Sequence, residues 1–127
     1  MKSLCLALGQ VWIAAGYGLD QRRSNMAKTP EGLVKEKITK LLKEYEVYYF
    51  MPIGGMYSKI GVPDVIGCLN GRFIAVEAKA GKGKTTALQD RELKRIKDAG
   101  GVSLVINETN LDELRQALEE IKHAIPI

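Results

Sequence analysis

VPDVIGCLNGRFIAVEAK, residues Val62 to Lys79, is the stretch whose reading decides the fold. Asn70-Gly71 sits at its centre between two apolar runs. The central residues of a two-residue hairpin loop take positive φ, which Asn and Gly tolerate best, so the stretch predicts two short antiparallel strands. So short a loop also sets the register. Counting outward, Leu69 faces Arg72, Cys68 faces Phe73, Ile66 faces Ala75 and Asp64 faces Glu77. The last pair holds two carboxylates with Cβ atoms roughly 5 Å apart, and opposed like charges weaken a hairpin unless something neutralises them. Removing one charge, as in Asp64→Asn, is therefore expected to stabilise the metal-free chain. Lys79 lies two residues past Glu77 and shares its face. The intervening strand is apolar on both faces (Phe73, Ile74, Ala75, Val76, Ala78), the mark of a strand covered on both sides. Asp64, Glu77 and Lys79 in that setting have the pattern of a divalent-cation site with an ammonium beside it.

Upstream, Thr29-Pro30-Glu31 is a helix start, with Thr as N-cap, Pro at the first position and an acid in the first turn. Val34, Ile38, Leu41 and Tyr45 follow at helical spacing, widened by Leu33 and Leu42, and the lysines at 35, 37, 40 and 43 lie mostly off this stripe. Glu46 to Met51 reads as a strand, and Gly54-Gly55 and Gly61 make a loop leading into the hairpin. Downstream, Thr86-Ala-Leu-Gln89 fits a capping box at the head of a helix that Gly100-Gly101 ends. Val102 to Ile106 predicts a short buried strand, and Asn110 with Glu113 opens a last helix carrying Leu111, Leu114, Leu118 and Ile121. The order is αβββαβα, a mixed β-sheet flanked by helices.

With 127 residues, 46% of them hydrophobic, the chain suits one compact domain. The net charge of +4 is small, but its distribution is uneven. From Lys79 to Lys97 seven basic residues stand against Asp90 and Glu92; from Glu108 to Lys122 five acids stand against Arg115 and Lys122. That asymmetry suggests one face suited to phosphates. Cys5 and Cys68 make neither a disulfide framework nor a zinc set, and Cys68 is expected to be a buried thiol in a reduced cytoplasm. The single His123, near a helix end, argues against His-dependent nucleases and against a Ser-His-Asp hydrolase.

Pro63-Asp64 followed by Glu77-Ala78-Lys79 resembles the PD-(D/E)xK nuclease motif. The fuller string from Gly61 to Ile106, with its Gly-rich lead-in and its following helix bearing Gln89, is similar to the VRR-NUC branch of that superfamily, above all its small stand-alone phage and bacterial members. The resemblance runs from about Thr29 to about Ile121. It implies a restriction-endonuclease-like α/β core and Mg²⁺- or Mn²⁺-dependent hydrolysis of DNA phosphodiesters. It also implies metal ligation by Asp64, Glu77 and the carbonyl of Ala78, with Lys79 as the catalytic lysine. In that family a Glu of the first helix joins the metal. Glu31 is the first candidate here and Glu36 the second, although a first-turn acid also suits the helix dipole with no further role. Gln89 is either only a capping residue or a neighbour of the catalytic lysine. Stand-alone relatives imply a homodimer acting on branched DNA such as four-way junctions. The reading from another class is a nucleic-acid-binding module without catalysis, which needs the basic band but not the Asp64, Glu77 and Lys79 constellation.

Ser58 and Lys59, before the hairpin, and Lys82 and Lys84, in the Gly-rich loop after it, are candidates for contact with the DNA backbone; Tyr57 is equally an ordinary loop residue. Gly83-Lys84-Thr85 between strand and helix imitates a P-loop, but the first Gly that motif requires falls on Ala78. Residues 1–25 stand apart from the domain at 26–127. Their apolar run from Leu4 to Tyr17 is short and interrupted, too short to span a bilayer. A signal peptide and an upstream start with Met26 as the first residue are the alternatives; the expectation is a poorly conforming, helical N-terminal extension. A chain beginning at Met26 is expected to fold and to keep its activity, which soluble expression and a cooperative melt check; loss of soluble protein would tie the Leu4 to Tyr17 run to the core or to a dimer interface.

Overall fold

A computed structural model describes residues 28–54 and 59–125. The expectations for residues 1–25, Tyr57 and Ser58 fall outside them. Along the described chain run α1 (Pro30–Glu44), β1 (Tyr48–Phe50), β2 (Val65–Leu69), β3 (Arg72–Ala78), α2 (Ala87–Asp98), β4 (Val102–Ile106) and α3 (Leu111–His123). The protein is α/β, with a four-stranded mixed sheet in the order β1-β2-β3-β4. The first two pairings are antiparallel and β3–β4 is parallel, so α2 is the crossover that a parallel pair requires. The hairpin register is the one counted from Asn70-Gly71: Leu69 pairs with Arg72, Cys68 with Phe73 and Ile66 with Ala75.

Alternation divides the sheet into two unlike faces. Ile74, Val76 and Ala78 of β3, Val65 of β2 and Ile106 of β4 meet Ile38, Leu41 and Leu42 of α1 and Leu114, Leu118 and Ile121 of α3 in the core. The opposite face carries Ala75, Glu77 and Ser103 under α2, where the Ser103 hydroxyl donates to the Leu93 carbonyl at 2.8 Å. Beyond α2 this face is open: Phe73, Tyr48 and Phe50 are exposed. Cys68, expected as a buried thiol, is exposed there too, because it shares the Tyr48–Phe73 row and not the core row. β4 is an edge strand and Val105 on its α2 side is exposed, so only part of it is buried as expected.

Local chemistry accounts for the element ends. The Thr29 side chain accepts from the Gly32 amide, with Pro30 at the helix start. At the other end of α1, Glu46 takes φ 58°, its amide reaches the Lys43 carbonyl and that of Val47 the Leu42 carbonyl. This is a Schellman ending with a non-glycine in the left-handed position. It uses Glu46 and Val47 to stop the helix, so β1 begins at Tyr48 and not at Glu46 as the β-forming composition predicts. Asn110 also departs from expectation. It is the N-cap of α3, yet its side chain does not cap the helix. It accepts from the Asn107 amide at 2.6 Å and donates to the Val105 carbonyl at 2.9 Å, closing the β4–α3 turn.

Asn70 has a second use that the turn pattern alone does not reveal. Its φ is 53° and that of Gly71 is 78°, as the two-residue turn demands. Its side-chain amide also donates to the carbonyls of Ile121 and Ala124, at 2.9 and 2.8 Å, tying the hairpin tip to the end of α3. Asn70→Gly keeps the turn and deletes the tie. It is expected to destabilise the protein by about 1–2 kcal/mol, the scale of two partly exposed hydrogen bonds. Chemical denaturation of the two proteins at equal m-value measures it.

Candidate active site

The central feature is a buried carboxylate. Glu77 is 1% exposed, in the strand that is covered on both faces. Its Oε1 accepts from Gln89 Nε2 at 2.7 Å and lies 3.3 Å from Lys79 Nζ. Its Oε2 is buried and, among the described residues, has no hydrogen-bond partner. Burial, and then the charge of nearby Asp64, push the Glu77 carboxyl up to about 7, against the opposing pull of Lys79.

Asp64 lies one register step beyond the Val65–Val76 pair, which sets it across from Glu77. Its Oδ2 accepts from the Ala78 amide at 2.9 Å and its Oδ1 lies 3.1 Å from Lys35 Nζ. From α1, Glu31 completes the group: one carboxylate oxygen each from Glu31, Asp64 and Glu77 lie within 4.8 Å of one another. Lys35, one helical turn after Glu31, is 3.7 Å from it. Glu36, the second candidate, points elsewhere and pairs with Lys28.

The donor set suits a hard divalent cation. Three carboxylates converge with no thiolate or imidazole among them, an all-oxygen set of the kind hard divalent cations take. Glu77 Oε2, without a hydrogen-bond partner among the described residues, is an acceptor such an ion would satisfy.

Asp64, Glu77, Lys79, Gln89 and Glu31 are thus brought together. Gln89 joins two readings that the sequence leaves as alternatives. Its Oε1 accepts from the Thr86 amide in the capping box while its Nε2 holds Glu77, so one side chain starts the helix and orients the acid. Ala78 enters the group through its amide on Asp64. Lys82 and Lys84 are exposed on the loop after β3, whose Gly81 amide donates to Glu108 at 2.7 Å. Lys59 is not an unpaired cation: its Nζ is 2.6 Å from Glu92 on α2, while 55% of its side-chain surface stays exposed.

Sequence reasoning missed Lys35, grouped with the lysines off the core stripe. The available signal was its i,i+4 spacing from Glu31, which puts an ammonium on the same helix face as a candidate ligand. Its presence alters the expected charge balance. Asp64 has both a cation and an amide, so the opposition between the two acids falls mainly on Glu77. Removing Asp64 would sacrifice favourable contacts, and Glu77 is the residue whose neutralisation relieves the pair.

No protein-family model matches this chain, and no curated protein does. Among the described residues no helix is long and apolar enough to cross a membrane.

The raised Glu77 carboxyl has a defined pH signature. Its folded pKa of about 7 exceeds the ordinary 4.5, so between those values the folded protein binds more protons than the unfolded chain. Its contribution is fully present below about 4.5 and is lost as pH rises through about 7. In chelator, wild type is expected to lose on the order of 3 kcal/mol relative to Glu77→Gln between pH 4.5 and pH 8. Urea unfolding of both proteins across that range measures the difference. A constant difference would show that Glu77 ionises in the fold as it does in the unfolded chain, with no raised pKa.

Proposed function

We propose that this chain is a divalent-metal-dependent nuclease with a restriction-endonuclease-like core, hydrolysing DNA phosphodiesters in the manner of the VRR-NUC proteins it resembles. One observation carries the reading: a carboxylate buried in the central strand, with an orphaned oxygen, converges with two other acids from separate elements and has a lysine at 3.3 Å. A buried acid with a raised pKa is costly, and such costs concentrate at functional sites.

Mg²⁺ or Mn²⁺, when bound, supplies charge neutralisation at the phosphate and acidifies a water. The chain's own groups do the rest. Glu31, Asp64 and Glu77 offer the ligands, with the Ala78 carbonyl as a further one. Gln89 fixes Glu77 by its amide, so the acid keeps one orientation. Lys79, 15% exposed along its side chain, is held in a site with little water, where its charge acts strongly on a phosphate gaining negative charge. Lys82 and Lys84 offer ammonium groups to flanking phosphates, and this positions the strand without reading its sequence. Cutting two strands of a branched substrate symmetrically requires two sites, which motivates a homodimer. Sedimentation tests that point, and a strict monomer that still makes paired cuts would refute it.

One observation favours the non-catalytic binding module. Lys35 already neutralises Asp64 and approaches Glu31, as a purely structural ion network would have it. Digestion of linear, nicked, flap and four-way DNA, with and without Mg²⁺ or Mn²⁺, separates the two readings. Cleavage is expected only with metal. Asp64→Asn, Glu77→Gln and Lys79→Met are each expected to reduce it by roughly 10²-fold or more, the scale of losing a transition-state contact. Retained DNA binding with no cleavage of any substrate would leave the binding module as the function.

A further inference from the structure

On the sheet face that carries Glu77, towards the other end of β3, lies a cavity of about 320 Å³ with two kinds of wall. One is apolar: Phe73, Ile96, Ala99 and Gly101. The other is charged: Lys59, Arg95 and Glu92. The cavity is at the small end of ligand sites, which begin at roughly 300 Å³, so it suits a single flat group and not a duplex or a helix. Phe73 is 44% exposed although it belongs to the central strand, so its ring faces the opening. The absence of a side chain at Gly101 keeps this wall close: a Cβ there would meet Ile96 Cγ2 at 2.8 Å and Phe73 Cδ1 at 3.3 Å.

The charged wall is built from a buried acid. Glu92 is 5% exposed, with Lys59 at 2.6 Å and Arg95 at 3.2 Å. Lys59 holds its carboxyl below the ordinary carboxylate range, so it stays ionised. Both cations keep more than half of their side-chain surface exposed, at 55% and 63%. Glu92 thereby fixes two donors at the rim, and the three charges sum to one positive. An apolar floor below a singly positive rim complements a nucleobase joined to a singly negative phosphodiester. Two links tie the cavity to the cluster. Phe73 and Glu77 share a face of β3, and Glu92 follows Gln89, the residue that holds Glu77, by one turn of α2.

We propose that this cavity is a subsite for one unstacked nucleotide of a DNA strand, its base against Phe73 and Ile96 and its phosphate between Lys59 and Arg95. The subsite rests on the nuclease reading only in taking DNA as the ligand. It gives the protein a reason to favour junctions, flaps and ends, where bases are already unstacked and the cost of extracting one is lowest. Base stacking on an aromatic ring supplies the affinity, and it is indifferent to base identity because every base has a π-face. Glu92 touches neither base nor phosphate; it is a positioning residue for the two cations.

The test reads binding without cleavage. Fluorescein-labelled short single-stranded oligonucleotides, one with normal bases and one abasic throughout, are titrated with the full chain at low salt in chelator. The base-containing strand is expected to bind roughly ten-fold or more tighter, the effect of one stacked base. Phe73→Leu retains an apolar side chain but lacks the ring, and is expected to bring the two strands to equal affinity; Phe73→Trp is expected to preserve the difference. Arg95→Ala should weaken both strands alike and lower the salt dependence by about one phosphate contact. Thermal melts of each variant confirm that it is folded. The proposal is overturned if the abasic strand binds as tightly, if neither strand binds, or if Phe73→Leu binds as wild type. It is equally overturned if Phe73→Leu alters sedimentation but not DNA affinity, which would make the cavity a protein contact. Failure of the nuclease reading looks different: no DNA is cut with metal, while base-dependent binding through Phe73 persists.

Discussion

The structure turns on the ionisation of Glu77 inside a strand covered on both faces. A carboxylate that loses water must recover the lost solvation from fixed partners. Here the recovery is partial. Lys79 and the Gln89 amide serve one oxygen, while the other has no partner among the described residues and Asp64 lies close by. Every element at the site answers to this group. The hairpin brings Asp64 across from it, α1 contributes Glu31 and Lys35, and α2 contributes Gln89.

That arrangement explains why α2 lies where it does. Its capping box, built from Thr86 and Gln89, would form in almost any context, since it satisfies backbone amides left free at a helix start. Using the remaining Gln89 donor on Glu77 fixes the helix against β3 at one point. Ser103, donating to the Leu93 carbonyl, fixes it against β4 at another. The helix contributes little apolar burial of its own, with Leu93 as its buried apolar residue. Polar contacts therefore set its position, and these are directional, so they control geometry more tightly than packing of a few methyl groups would. The same scarcity of apolar cover leaves the Tyr48, Phe50, Cys68 and Phe73 part of the sheet open.

The two faces of the sheet thus perform separate tasks. One is an aliphatic core shared by α1, α3 and alternate residues of β2, β3 and β4, and it supplies the burial that holds the domain together. The other carries the acids, the lysine and the exposed aromatic residues. Confining the costly groups to one face lets the unfavourable burial of Glu77 be offset by close packing directly behind it, at Ile74, Val76 and Ala78.

Much of this was legible in the residues. The Asn70-Gly71 turn, the register that opposes Asp64 and Glu77, the caps at Thr29 and Thr86, the helix stop at Gly100 and the order of elements all depend on neighbours a few positions apart, and short-range sterics and hydrogen bonding determine them. What depended on distance was not legible. Whether Glu31 or Glu36 faces the acids depends on the angle at which α1 crosses the sheet. That Lys35 reaches Asp64, that Lys59 is tied to Glu92, and that Asn70 holds the end of α3 are contacts between segments far apart in the chain. The exposure of Cys68 and the true start of β1 escaped for a related reason: the first depends on how far α2 extends over the sheet, the second on a left-handed ending at Glu46 that no glycine announces. Local pattern determined the elements and the facing acids; tertiary packing decided which charges meet them, because contact between distant segments is set by the docking of whole elements and not by the preferences of either segment alone.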